Sequence, residues 1–155
     1  MSKVRKAVID TNVLIYDLFE DSLHHEEASK VLDNLETWVI PSIVVHELIW
    51  FLKGLGLGAR KSHELVLQYL DNEKTTLKPV KHHHIKKALN TILNENLSLS
   101  RYNDKLILAV ATEEETPIAT FDKKLRQQAS KLNIPVIPKK QTGLTPETIT
   151  KARYT

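Results

Sequence analysis

Four carboxylates far apart in the chain, Asp10, Glu47, Asp104 and Asp122, stand where neither a solvated surface nor an apolar core explains them easily. Gathered in one place they would suit magnesium or manganese, hard cations that prefer oxygen ligands and keep several waters. Such a cation turns bound water into a nucleophile and holds a scissile phosphate, and a second ion would stabilise the leaving oxygen. The chemistry this predicts is phosphodiester hydrolysis. Without metal the carboxylates repel one another, so at least one should stay protonated and activity should fall in acid.

Two of the four close short apolar runs. Asp10 ends Ala7-Val8-Ile9 and Asp122 follows Pro117-Ile118-Ala119-Thr120-Phe121, each where a buried strand gives way to a polar turn. Two strands are expected to deliver two aspartates to one sheet edge, the usual ligand crevice of an open parallel sheet. Glu47 falls within Ile43–Leu55, a predicted helix whose stripe is Val44, Leu48, Phe51, Leu52 and Leu55. It lies on or beside the inward face. An unpaired carboxylate there costs several kcal/mol, so it needs a cation, a hydrogen-bond network or a wet cleft. Asp104 shares a stripe with Ile107, Leu108 and Ala111, although an aspartate at a helix start also caps free N–H groups.

Thr11, Asn12 and Thr120 adjoin the strand aspartates and could orient a carboxylate or a bound water, or simply make the turns. Arg101, Lys105, Lys123 and Arg126 lie near Asp104 or Asp122 and are candidates for the phosphates of a substrate, though solvated helix faces carry the same residues. The run His82-His83-His84 is read as exposed residues at a helix start, because consecutive helical residues point apart. His46 is about 100 degrees from Glu47 around its helix and is no obvious co-ligand. Gly54, Gly56 and Gly58 are read as a helix stop and turn, since neither a preceding strand nor Gly-Lys-Ser/Thr makes them a phosphate loop.

The elements that must position these residues alternate. Strands are expected before Asp10 and over 37–40, 75–80, 117–120 and 136–137, with helices over 13–19, 25–35, 43–55, 60–70, 81–93, 104–115 and 123–132. Ser42 is the expected N-cap of the Glu47 helix, and 94–103 the expected polar loop before Asp104. This alternation predicts an α/β domain with a mainly parallel sheet over residues 1–138. Residues 139–155 form an extension, a surface helix near 146–152 or a frayed tail.

A chain of 155 residues with 41% apolar and 26% charged residues suits one soluble domain. It has no cysteine, so disulfides and thiolate ligands are excluded and carboxylates and histidines remain as metal ligands. A net charge of +3 is mild evidence for an anionic partner. No apolar stretch is long enough to cross a bilayer, and no signal-peptide core precedes the first strand, so the cytoplasm is the expected location.

With the acids placed, the chain resembles the PIN-domain nucleases, and particularly the VapC toxins of toxin–antitoxin pairs. The resemblance rests on Val8-Ile9-Asp10-Thr11-Asn12-Val13-Leu14, on Glu47 after the second strand, on Asp104 before the fourth, and on Ala119-Thr120-Phe121-Asp122-Lys123-Lys124-Leu125. It implies a single-domain α/β/α sandwich with a five-stranded parallel sheet in the order 3-2-1-4-5. It further implies RNA cleavage with Mg2+ or Mn2+ on Asp10, Glu47, Asp104 and Asp122, with Thr120 in support. A homodimer and a small inhibitory antitoxin protein complete the expectation. The alternatives are a PIN nuclease of RNA maturation or decay, and a catalytically silent RNA-binding module. A haloacid-dehalogenase-type phosphatase is disfavoured because Asn12 stands where its second aspartate should be. A response-receiver domain would leave Glu47 unexplained.

Overall fold

The computed structural model describes residues 5–139. The order is β1 (Lys6–Ile9), α1 (Thr11–Leu18), α2 (His25–Asn34), β2 (Thr37–Pro41), α3 (Ser42–Gly54), α4 (Ala59–Leu70) and β3 (Thr75–Lys78). There follow α5 (His82–Asn94), a 3-10 turn (Leu99–Arg101), α6 (Tyr102–Glu114), β4 (Ile118–Ala119), α7 (Lys123–Lys131) and β5 (Val136–Ile137). The suggested tail helix near 146–152 lies outside the described residues.

All five strands are parallel, in the order β3-β2-β1-β4-β5. The chain runs outward from β1 to β3 and then returns to lay β4 on the other side of β1. Right-handed crossovers then place α1 to α4 on one face and α5 to α7 on the other. The packing agrees: α1 meets α2 and α3, α3 meets α4, and α5 meets α6. Beyond the exposed Lys6 the central strand has no polar residue on either face, because Ala7, Val8 and Ile9 are all fully buried between the two helical layers. Val44, Leu48 and Leu52 seat α3 on the core, and Ile107, Leu108, Val110 and Ala111 seat α6.

The strand order reverses between β1 and β4. Ile9 pairs with Ala119, and the Asp10 amide donates to the Ala119 carbonyl at 3.0 Å, so the two strands end side by side. That is the crevice where parallel sheets place their ligands.

Helix ends follow local rules. Gly56 takes φ +80 after α3, and the Leu57 amide reaches back to the Leu52 carbonyl at 3.2 Å, which closes the helix as the glycine cluster predicts. Asn96, Glu115 and Asn133 do the same after α5, α6 and α7 with positive φ. Two expectations are corrected. Ser42 does not cap α3: Pro41 holds that position, and the Ser42 hydroxyl accepts from the Val80 amide at 2.9 Å, tying the end of β3 to the start of α3. Leu55 leaves the apolar stripe, since it is the C-cap residue and is about half exposed.

Candidate active site

Asp10 is the first residue beyond β1 and the N-cap of α1. Its Oδ1 accepts from the Thr11 amide at 2.8 Å and its Oδ2 from the Thr120 hydroxyl at 2.6 Å. Thr120, beyond β4, is wholly buried. Its oxygen also accepts from the Asp122 amide at 3.0 Å and from the Asn12 side chain at 3.4 Å. Asn12 returns its carbonyl oxygen to the Phe121 amide at 3.2 Å. Two loops 110 residues apart are thereby stitched together through three short polar side chains. Thr11 and Thr120 each bond a carboxylate oxygen while shaping the turns, and Asn12 links Thr120 to the Phe121 amide.

Glu47 enters from the wall formed by α3. Its stripe position brings it beside the sheet edge, half-buried, where Oε1 accepts from the Thr11 hydroxyl at 2.7 Å and Oε2 from the Asn103 amide at 3.1 Å. Asn103 escaped the sequence reading, which ended the loop there. The available signal was an amide in the first turn of α6, next to Asp104. Asp104 itself makes no cap bond. It sits in that first turn with Arg101 Nε at 3.7 Å from its Oδ2. Asp122 is the N-cap of α7, with Oδ1 accepting from the Leu125 amide at 3.0 Å, and its residue is exposed.

The acids act on one another electrostatically. Burial pushes the Asp10 carboxyl up to about 7, with Asp104 and Glu47 adding repulsion while the Thr120 hydroxyl and Thr11 amide pull the other way. Burial and the charge of Asp122 push Asp104 up to about 6, with Glu47 adding to the shift and Arg101 and Lys105 opposing it. Each of the four acids therefore acts on at least one other. The pocket as it stands has too much negative charge for its surroundings. Hard oxygen donors crowded in this way fit a divalent cation, which would relieve the repulsion.

The cationic candidates divide. Arg101 faces Asp104. Lys105 is buried and bonded to Glu95 at 3.3 Å. Lys123 opens α7 in an exposed position. Arg126 is corrected as a phosphate contact: its guanidinium donates to the Thr120 carbonyl at 2.8 Å and to the Pro138 carbonyl at 2.5 Å, so it braces the ends of β4 and β5.

The histidine run is also corrected in part. His84 is not exposed but buried at the start of α5, and with the exposed His83 it meets Glu113 of α6. Among the described residues this is the only group of three His or acidic side chains whose ligand atoms all lie within 4.8 Å of one another. Its hydrogen bonds argue against metal. The Lys81 amide donates to His84 Nδ1 at 2.9 Å, so the neutral ring carries its proton on Nε2 and gives it to Glu113 at 2.9 Å. A cation on Nε2 would have to displace that proton.

Among the described residues no helix is long and apolar enough to cross a membrane. No curated protein sequence matches the chain. Solved structures share its fold at low identity. A toxin–antitoxin complex from Klebsiella pneumoniae is 20% identical with a TM-score of 0.60, the alignment covering 87% of this chain and 98% of that one. The sarcin-ricin loop cleaving toxin VapC20 of Mycobacterium tuberculosis is 14% identical with a TM-score of 0.68, covering 79% and 94%. VapBC2 from Rickettsia felis, bound to a promoter DNA fragment, is 17% identical with a TM-score of 0.61, covering 84% and 96%. At these identities the likeness is one of fold. The sequence itself carries the family, because the PIN domain model matches residues 7–131, from the first residues of the central strand to the end of α7, and the chain belongs to the PIN domain family.

Proposed function

We propose that the protein is a metal-dependent endoribonuclease, the toxin of a VapBC-type pair, that hydrolyses RNA phosphodiester bonds at the pocket of Asp10, Glu47, Asp104 and Asp122. The observation that carries this reading is the charge imbalance at the crevice where β1 and β4 end: burial, and then the charges of neighbouring carboxylates, raise the proton affinity of Asp10 and Asp104, Glu47 acting on both and Asp122 on Asp104. In this reading those acids hold Mg2+ or Mn2+, directly or through water. A divalent ion bound there would lower the pKa of water and offset charge at the phosphate.

The chain's own residues have distinct tasks. Thr120 and the Thr11 amide fix both oxygens of Asp10, and Thr11 and Asn103 fix both oxygens of Glu47, so the carboxylates are oriented before anything binds. Arg101, with its Nε 3.7 Å from Asp104, offsets part of the negative charge at that carboxylate. The toxin reading is supported by the fold shared with toxin and toxin–antitoxin structures, and it brings a small antitoxin as partner. A homodimer is supported by an exposed apolar stripe on α5, where Ile85, Leu89 and Leu93 follow at four-residue intervals.

The test is cleavage of single-stranded RNA by purified protein with added manganese or magnesium. Cleavage should stop with chelator and in Asp10→Asn, whose fold should be intact by circular dichroism. RNA cut equally well by Asp10→Asn, or in chelator, would remove the metal mechanism. Growth arrest on expression, relieved by a neighbouring reading frame, separates a toxin from a nuclease of RNA maturation.

A further inference from the structure

Beside the acidic pocket a second cavity of about 700 Å3 opens between α5, α6 and α7. Five cations line it, Lys87, Arg101, Lys105, Lys124 and Lys131, against one carboxylate, Glu95. That carboxylate is already engaged by Lys105 at 3.3 Å. The lining is not only charged, because Leu108 and Ala109 of α6 contribute an apolar wall. Two of its polar atoms are buried without a partner among the described residues: Arg101 Nη2, a donor, and Gln128 Oε1, an acceptor. Orphaned groups of this kind are costly unless something exchanges with them.

The cavity and the acids share one neighbour. Arg101 lines it while its Nε lies 3.7 Å from Asp104. A ligand seated there would therefore extend from the reacting centre. The features together match one chemical class. Cations suit phosphates, an apolar wall suits the face of a base, and a free donor and a free acceptor in the same lining suit a base edge, which presents both. A peptide with acidic side chains would use the cations but would leave the apolar wall and the amide without a role.

We infer that the cleft between α5, α6 and α7 is a nucleotide subsite, holding a residue of single-stranded RNA next to the scissile bond. Lys87, Lys124 and Lys131 contact its phosphates, and Arg101 and Gln128 meet its base edge. This rests on the proposed nuclease reading and adds a substrate path to it. It makes the exposed lysines of α5 and α7 part of recognition, although none touches the acids' hydrogen-bond network.

Binding and cleavage are tested apart. In an Asp10→Asn background, which leaves RNA uncut, the affinity for a short fluorescein-labelled single-stranded RNA is measured by anisotropy across a salt series. The exposed pair Lys124→Glu and Lys131→Glu should weaken binding by roughly tenfold or more and flatten the salt slope by about one to two. Arg60→Glu with Lys61→Glu on α4, the same change of net charge outside the cleft, should do much less. Gln128→Ala should alter the ranking of poly(U), poly(A) and poly(C) with little change in salt slope. Equal weakening by the two double variants, or an unchanged ranking in Gln128→Ala, overturns the subsite. If wild-type protein cleaves RNA and the cleft variants bind normally, the subsite alone falls. Absence of both cleavage and binding of RNA in every form overturns the nuclease reading and the subsite together.

Discussion

The acidic pocket and the His83–His84–Glu113 group both gather titratable side chains, and they are built on opposite principles. At the crevice like charges lie together, and the hydrogen bonds that Asp10 receives from Thr120 and Thr11 do not offset burial and repulsion: Asp10 rises to about 7, and Asp104, opposed only in part by Arg101 and Lys105, to about 6. At the second group a carboxylate accepts from two imidazoles, and those bonds hold Glu113 below its usual range. The histidine group is the tighter of the two in distance, yet its carboxylate is already held by two hydrogen-bond partners. Proximity of ligand atoms alone therefore does not mark a metal site. What marks one is a set of fixed donors whose charge nothing nearby neutralises.

The contrast breaks most sharply on substitution. Asp10→Asn should lower RNA cleavage by about a thousandfold or more, the scale of losing a group that acts on the reacting centre. Glu113→Gln should leave the rate within about twofold, because it touches nothing at the crevice. Equal losses in single-turnover assays would show that the histidine group, and not the acids, carries the chemistry.

Proton competition gives the next largest effect. A cation needs the ionised form of Asp10, so at limiting manganese the cleavage rate should fall by about tenfold for each pH unit below roughly 7. Saturating manganese should move the break to lower pH. A profile flat from pH 5 to 8 at limiting metal would contradict the raised affinity for protons.

Stability should show the opposite dependence. The folded carboxyl of Asp10 holds its proton more tightly than the unfolded one, so without metal its contribution is fullest below the ordinary value of 3.8 and is lost as pH rises towards 7. The loss is on the order of 4 kcal/mol for a shift of this size. Asp10→Asn should therefore be more stable than wild type in chelator at pH 8, and manganese should raise the melting temperature of wild type only. Urea melts in chelator that show the variant weaker at pH 8 would remove the claim of crowding.

The smallest effect belongs to the satisfied group. Glu113→Gln should cost slightly more at pH 7 than at acid pH, since a depressed carboxyl contributes above its unfolded value and loses that contribution as the pH drops. A gain in melting temperature on this substitution would mean that the histidines do not stabilise the Glu113 carboxylate.

The fold was largely legible in the chain because its signals are local. Short apolar runs ending in aspartate, four-residue stripes and the glycine punctuation after α3 placed every strand and helix to within a few residues. The strand order came with the family resemblance, whose motifs lie at β1 and beyond β4. Asn103 and the true roles of Lys105, Arg126 and His84 were not legible, because each depends on a partner from another element: Glu47, Glu95, the Thr120 carbonyl and Glu113.

Composition and periodicity by themselves determined that this chain would be a layered α/β protein, that no thiolate could serve it, and that four acids would stand at the ends of strands or on inward helix faces. Only the tertiary structure decided which charges find counter-charges. Side-chain spacing within one element fixes which way a residue faces, but the field it feels comes from groups remote in sequence. Here those groups leave Asp10 among like charges and give Glu113 two donors.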